Sequence, residues 1–264
     1  MIPGRQRPRI EPSAARTAGT GGSEEPPSRH YNLRVVDLLV FGPHPDDLEI
    51  GLGGSIAKHV ALGHTVGLCD LTCGEMGTNG TPDERAAEAE AARVVLGAAS
   101  RDNLGLPDGD IGGDPSHLRE VVAYIRRMKP KTIAAPHEID RHPDHVAASR
   151  LLTRAAFLSG LTRYAAPGEK WRADWMLYYF INDSAPPSFV VDVSASYDTK
   201  RAALACHRSQ FDPAVTGGTA TRLTSPRFRQ LIESRDAQFG ALIGVDFAEG
   251  LIAREPIART TLLK

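Results

Sequence analysis

Between residues 35 and 160 the chain repeats one pattern, a short apolar run followed by a stretch with helical spacing. VVDLLVFG precedes IGLGGSIAKHVALG, VGLCDLT precedes TPDERAAEAEAARVVLG, and KTIAAP precedes DHVAASRLLTRAAFLSG. Runs this apolar must be covered on both faces, and crossovers of roughly a dozen helical residues join parallel strands. The expected fold is therefore α/β: a Rossmann-like, doubly wound, mostly parallel sheet with helices on both faces. In such a sheet, ligands bind beyond the carboxyl ends of the strands.

Local signals agree with this frame. In TPDERAAEAEAARVVLG, Thr81 stands as N-cap, Pro82 at the first helical position, Glu84 where it completes a capping box, and Gly97 near the end. The first helix is expected over IGLGGSIAKHVALG, ending at Gly63, and a short strand near Arg101 to Leu104. SHLREVVAYIRRMKP reads as an amphipathic helix stopped by Pro130. The C-terminal third departs from simple alternation. WMLYYFIN and FVVDVS read as strands, YDTKRAALACHRSQF and SPRFRQLIESRDAQFG as helices, and together they are expected to form a cap region.

The composition narrows the class. With 264 residues, 41% hydrophobic, 24% charged and a formal net charge of -1, the chain is long enough for one large core and has no excess charge to attract nucleic acid. No stretch reaches the roughly 18 apolar residues of a membrane span. Three cysteines, Cys69, Cys73 and Cys206, form no disulfide framework, which points to a cytoplasmic setting. The CDLTC pair is a weak metal-binding pattern, because no second cysteine pair follows it. Residues 1–30 lack apolar periodicity and are dense in Pro, Gly, Ser, Thr and Arg, so a disordered tail is expected there and a single domain over 31–264.

Two polar motifs fall directly after apolar strands. HPDD follows VVDLLVFG and HPDH follows KTIAAP, which places both on the same rim of the expected sheet. One His-Pro-Asp alone would be a solvated turn. Two on one rim can meet, and His44, Asp47 and His145 then offer two imidazoles and a carboxylate, a donor set that suits zinc or iron(II) and leaves positions for water and substrate. Asp46, beside a ligand but outside the set, is placed to take a proton from water. GLGGS lacks the spacing and lysine of a phosphate loop, so its glycines are expected to let a helix lie close on the sheet. His59, His64, His117 and His137 belong to no paired motif and are expected at the surface or in packing.

Arg85 sits in the first turn of its helix, where a cation meets the positive end of the macrodipole and calls for an anion nearby. The anion is expected to be a substrate carboxylate, with Arg141 as a second contact. The alternative is an exposed pair with Glu84 or Glu88.

GPHPDDLEIGLGGSIAKH together with DRHPDH resembles the LmbE-like, or PIG-L, family of metal-dependent N-deacetylases acting on N-acetylglucosamine conjugates, and the likeness runs through nearly all of residues 34–255. LCDLTCGEMGTNGTPDERAAEA, LPDGDI, HRSQF and DFAEGL are most similar to the bacterial branch that deacetylates N-acetylglucosaminyl-malate in bacillithiol synthesis. The resemblance implies a soluble homo-oligomer acting on a small amino-sugar conjugate. It implies zinc at His44, Asp47 and His145, with iron(II) as the other candidate, and Asp46 as general base. It gives His142 to the oxyanion and the departing amine, Asp144 to the orientation of that imidazole, and Arg85 and Arg141 to the substrate. The C-terminal cap would bear the sugar pocket. Phe228 stands where the resemblance leads one to expect tyrosine. Two further readings are hydrolysis of another bond, such as a phosphoester, and noncatalytic sugar binding. The free acid at Asp46 and the second histidine at His142 argue against pure binding.

Overall fold

The apolar run LLVFG becomes strand β1 (Leu38–Gly42), buried throughout except for a half-buried Leu38. It pairs in parallel with β2 (Val66–Asp70) on one side and with β4 (Thr132–Pro136) on the other. Strand β3 (Ser100–Asn103) extends the sheet beyond β2, and β5 (Trp175–Tyr179) extends it beyond β4, both parallel. The full order is β3-β2-β1-β4-β5-β7-β6, with β7 (Ala248–Ala253) antiparallel to β5 and to β6 (Phe189–Asp192). The chain steps outward from β1 to β3 and then returns to start β4 beside β1. Loops leaving β1 and β4 therefore diverge and leave a crevice between them. This is a computed structural model; it describes Met1 and residues 35–212, 217–258 and 260–261, so the expected tail lies outside the described residues apart from Met1.

Helices cover both faces. Along β1, Leu39 and Phe41 join Val121, Ile125 and Leu152, from α3 (Pro115–Met128) and α4 (Pro143–Ser159). Val40 turns the other way, toward Leu48 and Ile56 of α1 (Asp47–Ala61) and Ala92 of α2 (Pro82–Leu96). The Thr81–Glu84 capping box forms as expected, and Gly97 closes α2 in the left-handed conformation at φ 73. The described residues from Val35 onward make one compact unit. Among the described residues, no helix is long and apolar enough to cross a membrane.

Three local features differ from expectation, and each bears on the site. First, α1 starts at Asp47 rather than Ile50, and it bends at Leu52 (φ -136, ψ 16). Groups orphaned by the bend find partners far away in sequence. The Glu249 carboxylate accepts from Gly54 N (3.0 Å) and Ser55 N (2.7 Å), while Arg235 Nη2 donates to Ile50 O (2.7 Å). These are the amides a phosphate-loop reading of GLGGS would need, and an internal carboxylate occupies them. A Cβ at Gly54 would lie 2.8 Å from Val193 Cβ and one at Gly51 would collide with the Tyr179 ring, so the glycines do serve close packing.

Second, YDTKRAALACHRSQF forms two helices, α5 (Tyr197–Cys206) and α6 (Arg208–Phe211), broken at the buried His207. The His207 ring lies 3.3 Å from Glu49, in the first turn of α1. Third, β7 was not anticipated. It inserts between β5 and β6, so the C-terminal third extends the sheet, and its loops together with α7 (Pro226–Ala241) wall the crevice.

Fully buried Lys200 holds this region together, with Nζ 2.7 Å from both Asp236 Oδ2 and Glu249 Oε1. Removing one member of such a cluster leaves a buried charge uncompensated, which costs about 3–5 kcal/mol. Lys200→Met is therefore expected to lower the melting temperature by about 10 °C. The same change at its exposed neighbour Arg201 should move it far less, and scanning calorimetry on the two variants checks the difference.

Candidate metal centre and catalytic site

The loop after β1 is closed by its own acid. His44 N donates to Asp47 Oδ2 at 3.0 Å, and the carbonyl of Asp46 accepts the first helical hydrogen bond, from Ile50 N, at 3.0 Å. Asp46 itself has φ 125 and ψ -27, a conformation that costs a non-glycine residue about 1–3 kcal/mol. The loop after β4 is tied by Asp140, whose Oδ1 accepts from His142 N (2.8 Å) and whose Oδ2 accepts from Asn182 N (3.0 Å). His142 then caps α4, its Nδ1 accepting from Asp144 N at 3.2 Å.

Across the crevice the two loops meet at one oxygen. His44 Nδ1 lies 3.1 Å, and His145 Nε2 3.3 Å, from Asp47 Oδ2. The far nitrogen of each ring is held by carboxylates: His145 Nδ1 is 3.1 Å from Asp140 Oδ1, and His44 Nε2 is 3.1 Å from Asp108 Oδ1 and 3.2 Å from Asp144 Oδ2. Ligand atoms of His44, Asp47 and His145, all buried, lie within 4.8 Å of one another. Converging imidazoles whose rear nitrogens bond to carboxylates form the arrangement that orients histidine ligands around a metal, so the residues fit a divalent cation. A second group within the same spacing, His44, His142 and Asp144, shares His44 and includes the exposed His142, so it overlaps this centre.

The electrostatics agree. Burial opposes charge on His145, but Asp47 and Asp140 outweigh it and raise the imidazole to about 9. His44 is likewise raised well above its ordinary value, against burial, by Asp108, Asp144 and Asp47. Asp47 is held well below the usual carboxylate range, again against burial, by His145 and His44. A pocket this rich in carboxylates demands positive charge, as protons or as a metal ion.

Asp46 differs from its neighbour. Burial pushes its carboxyl up to about 6, with Arg85 pulling the other way, and no imidazole bonds to it among the described residues. Arg85 is only 4% exposed and donates to Gly74 O (2.9 Å) and Pro45 O (2.7 Å), with Asp46 Oδ2 at 3.5 Å. Arg85 lines the cavity with Asp46 as the anion beside its guanidinium. The exposed-pair alternative fails: Arg85 is buried, Glu84 caps Thr81, and Glu88 accepts from Ser209. Asp144 also departs from expectation. Its carboxylate bonds to His44 Nε2 and accepts from Gly109 N (2.9 Å), while its backbone N–H, not its side chain, holds His142.

These residues surround a cavity of about 510 Å³. His44, Asp46 and Asp47 lie deep in it, and the exposed Arg141 borders it, with its backbone N donating to Asp183 Oδ2 at 2.8 Å. Asp108, Asp140, Asn182 and Arg222 also belong to the site and were missed. Asp108 and Asp140 lie within LPDGDI and DRHPDH, both on strand-end loops, and that position was the available signal. His117, His59 and His137 make local backbone contacts, as packing residues do.

Residues 39–156, which include both motifs, match the sequence profile of the PIG-L family, described as GlcNAc-PI de-N-acetylase. A solved structure of a conserved protein from Thermus thermophilus superposes with a TM-score of 0.79 at 38% identity, covering 87% of this chain and all of that one. The chain belongs to the PIG-L family. A diacetylchitobiose deacetylase from Thermococcus kodakarensis is 28% identical over 82% of each chain. A 1D-myo-inositol 2-acetamido-2-deoxy-alpha-D-glucopyranoside deacetylase from Rhodococcus opacus is 26% identical over 68% of this chain and 83% of its own. PIG-L is a family of metal-dependent N-deacetylases, and the chain is an enzyme of that class.

Both candidate ligand imidazoles are raised, His145 to about 9 and His44 well above its ordinary value, so a cation bound there must displace protons. Calorimetric titration of a divalent transition metal at pH 7, in buffers of different ionisation enthalpy, is expected to show release of about two protons per ion. Affinity should rise with pH through the range near 9 in which His145 gives up its proton.

Proposed function

We propose that the protein is a zinc-dependent hydrolase that removes the acetyl group from an N-acetylglucosamine conjugate bearing an anionic aglycone. N-acetyl-α-D-glucosaminyl L-malate, in bacillithiol synthesis, is the favoured substrate. The observation that carries this reading is the pairing of a convergent two-imidazole, one-carboxylate set with a buried acid, Asp46, that stands beside the set without joining it. The deacetylase relatives and the N/O donor set support it, with zinc preferred and iron(II) the alternative the same donors would take. The sparse, odd cysteine complement fits a cytoplasmic setting, and a homo-oligomer is part of the proposal.

A divalent cation held by His44, Asp47 and His145 supplies Lewis-acid polarisation of the acetyl carbonyl and acidifies water at neutral pH. The chain's own residues do the rest. Asp46, with its carboxyl near 6, is matched to accept a proton from the attacking water. As the oxygen adds to the carbonyl carbon, negative charge develops on the former carbonyl oxygen and needs a donor. His142 suits that task in its neutral form: Nδ1 accepts a backbone N–H, which leaves the proton on Nε2. Burial and the neighbouring His145 and His44 lower its pKa, which keeps it a donor of hydrogen bonds rather than an imidazolium. Cleavage of the C–N bond requires a proton on nitrogen, and the proton held by Asp46 is available for it. Acetate and the free amine result. Arg85 acts here as a positioning residue, holding the strained Asp46 loop through Pro45 O and keeping a positive charge beside the acid.

Purified protein, incubated with zinc or with a chelator, is assayed for new primary amine from N-acetylglucosaminyl-malate and from neutral N-acetylglucosaminides. Amine should appear with zinc and vanish with the chelator. Asp46→Asn is expected to keep its metal and lose about 100-fold or more in turnover, whereas Asp47→Ala should lose metal affinity as well. Near-normal turnover by Asp46→Asn would remove Asp46 as the base.

A further inference from the structure

The cavity separates its charges along its depth. Asp46, Asp47 and Asp144 lie buried at its base, whereas two exposed guanidinium groups, Arg141 and Arg222, stand at its mouth. Neither has an ion-pair partner among the described residues, although other arginines of the site region do: Arg85 has Asp46, Arg101 has Glu49 and Asp70, and Arg235 has Asp236. Arg222 comes from the loop just before α7, and its placement is specific. Its Cζ lies 5.3 Å from the centroid of the Phe228 ring, and Nη1 donates to Asn182 Oδ1 at 3.3 Å. Phe228 is itself fixed, buried to 4% exposure and stacked on Phe211 at 6.3 Å. Asn182 is fixed from the other side, donating from Nδ2 to Asp140 Oδ1 at 3.0 Å and lying 3.4 Å from His145 Nδ1.

We propose that Arg222 sets the specificity of this site for substrates with a carboxylate on the aglycone, which it binds from its seat on Phe228 and Asn182. This rests on the deacetylase reading above. A planar cation laid on an aromatic face keeps its edge donors directed outward, and a guanidinium fork matches a carboxylate in two parallel hydrogen bonds. Only one of its N–H groups is used, on Asn182, among the described residues. The deep carboxylates repel a second anion, so a substrate enters with its hydroxyl-rich sugar first and leaves its charged end at the mouth. Through Asn182 the same guanidinium touches the group that also touches Asp140 and His145, which relates the position of the aglycone to that of the metal ligands. Phenylalanine at 228, in place of the tyrosine expected by resemblance, then acts as the cation's platform.

Zinc-loaded wild type, Arg222→Gln and Arg222→Lys are compared on N-acetylglucosaminyl-malate and on methyl N-acetylglucosaminide, with kcat and KM measured separately. The ratio of kcat/KM for the malate conjugate to that for the neutral sugar is expected to fall about tenfold or more in Arg222→Gln, mainly through KM, and less in Arg222→Lys. An unchanged ratio overturns the proposal, even if both activities drop. Calorimetric binding of glucosaminyl-malate provides a readout independent of turnover. If wild type proves inactive on both substrates, the deacetylase reading fails; tighter binding of glucosaminyl-malate by wild type than by Arg222→Gln still supports the arginine's role, and equal or absent binding overturns it.

Discussion

Two imidazole nitrogens from strand-end loops about a hundred residues apart point at one carboxylate oxygen, and the rest of the molecule is arranged around that meeting. It exists because β1 and β4 are neighbours with parallel pairing, so their carboxyl ends open side by side where the chain reverses its winding. Three buried polar groups in contact are unfavourable without compensation. Compensation comes from Asp140 behind His145, from Asp108 and Asp144 behind His44, and from whatever positive charge the set holds.

The same requirement for partners explains the unusual chain geometry nearby. Helix α1 has to begin at Asp47 to present that carboxylate, yet it must also lie close on the sheet over Gly51 and Gly54. Its bend at Leu52 reconciles these demands, and Glu249 and Arg235 satisfy the groups the bend releases. Those two charges are balanced in turn by Lys200 and Asp236. Asp46 pays for its place with a backbone conformation that few residues adopt, and Arg85 holds the loop that contains it.

Much of this was legible in the sequence, for identifiable reasons. Apolar runs covered on both faces announce a parallel sheet, and two His-Pro-Asp motifs at strand ends announce a shared rim. What stayed hidden depended on distant partners. Strand β7 reads poorly because Glu249, its second residue, is a charge buried to hold α1, which breaks the alternation expected of a strand. The helix dipole correctly called for an anion near Arg85, but the anion is Asp46, 39 residues earlier, and no local rule could find it. Asp108 sits in a Pro- and Gly-rich loop where an aspartate is an ordinary turn residue. His207 interrupts a helical pattern for the sake of a contact with Glu49 that only the tertiary structure creates.

The most direct test of the central claim is X-ray absorption at the metal edge of the loaded protein. The geometry predicts a first shell with two imidazole nitrogens and at least one carboxylate oxygen, and loss of one imidazole in His145→Ala. A sulfur shell near ~2.3 Å, as a cysteine ligand would give, or a single imidazole in the wild type, would contradict it.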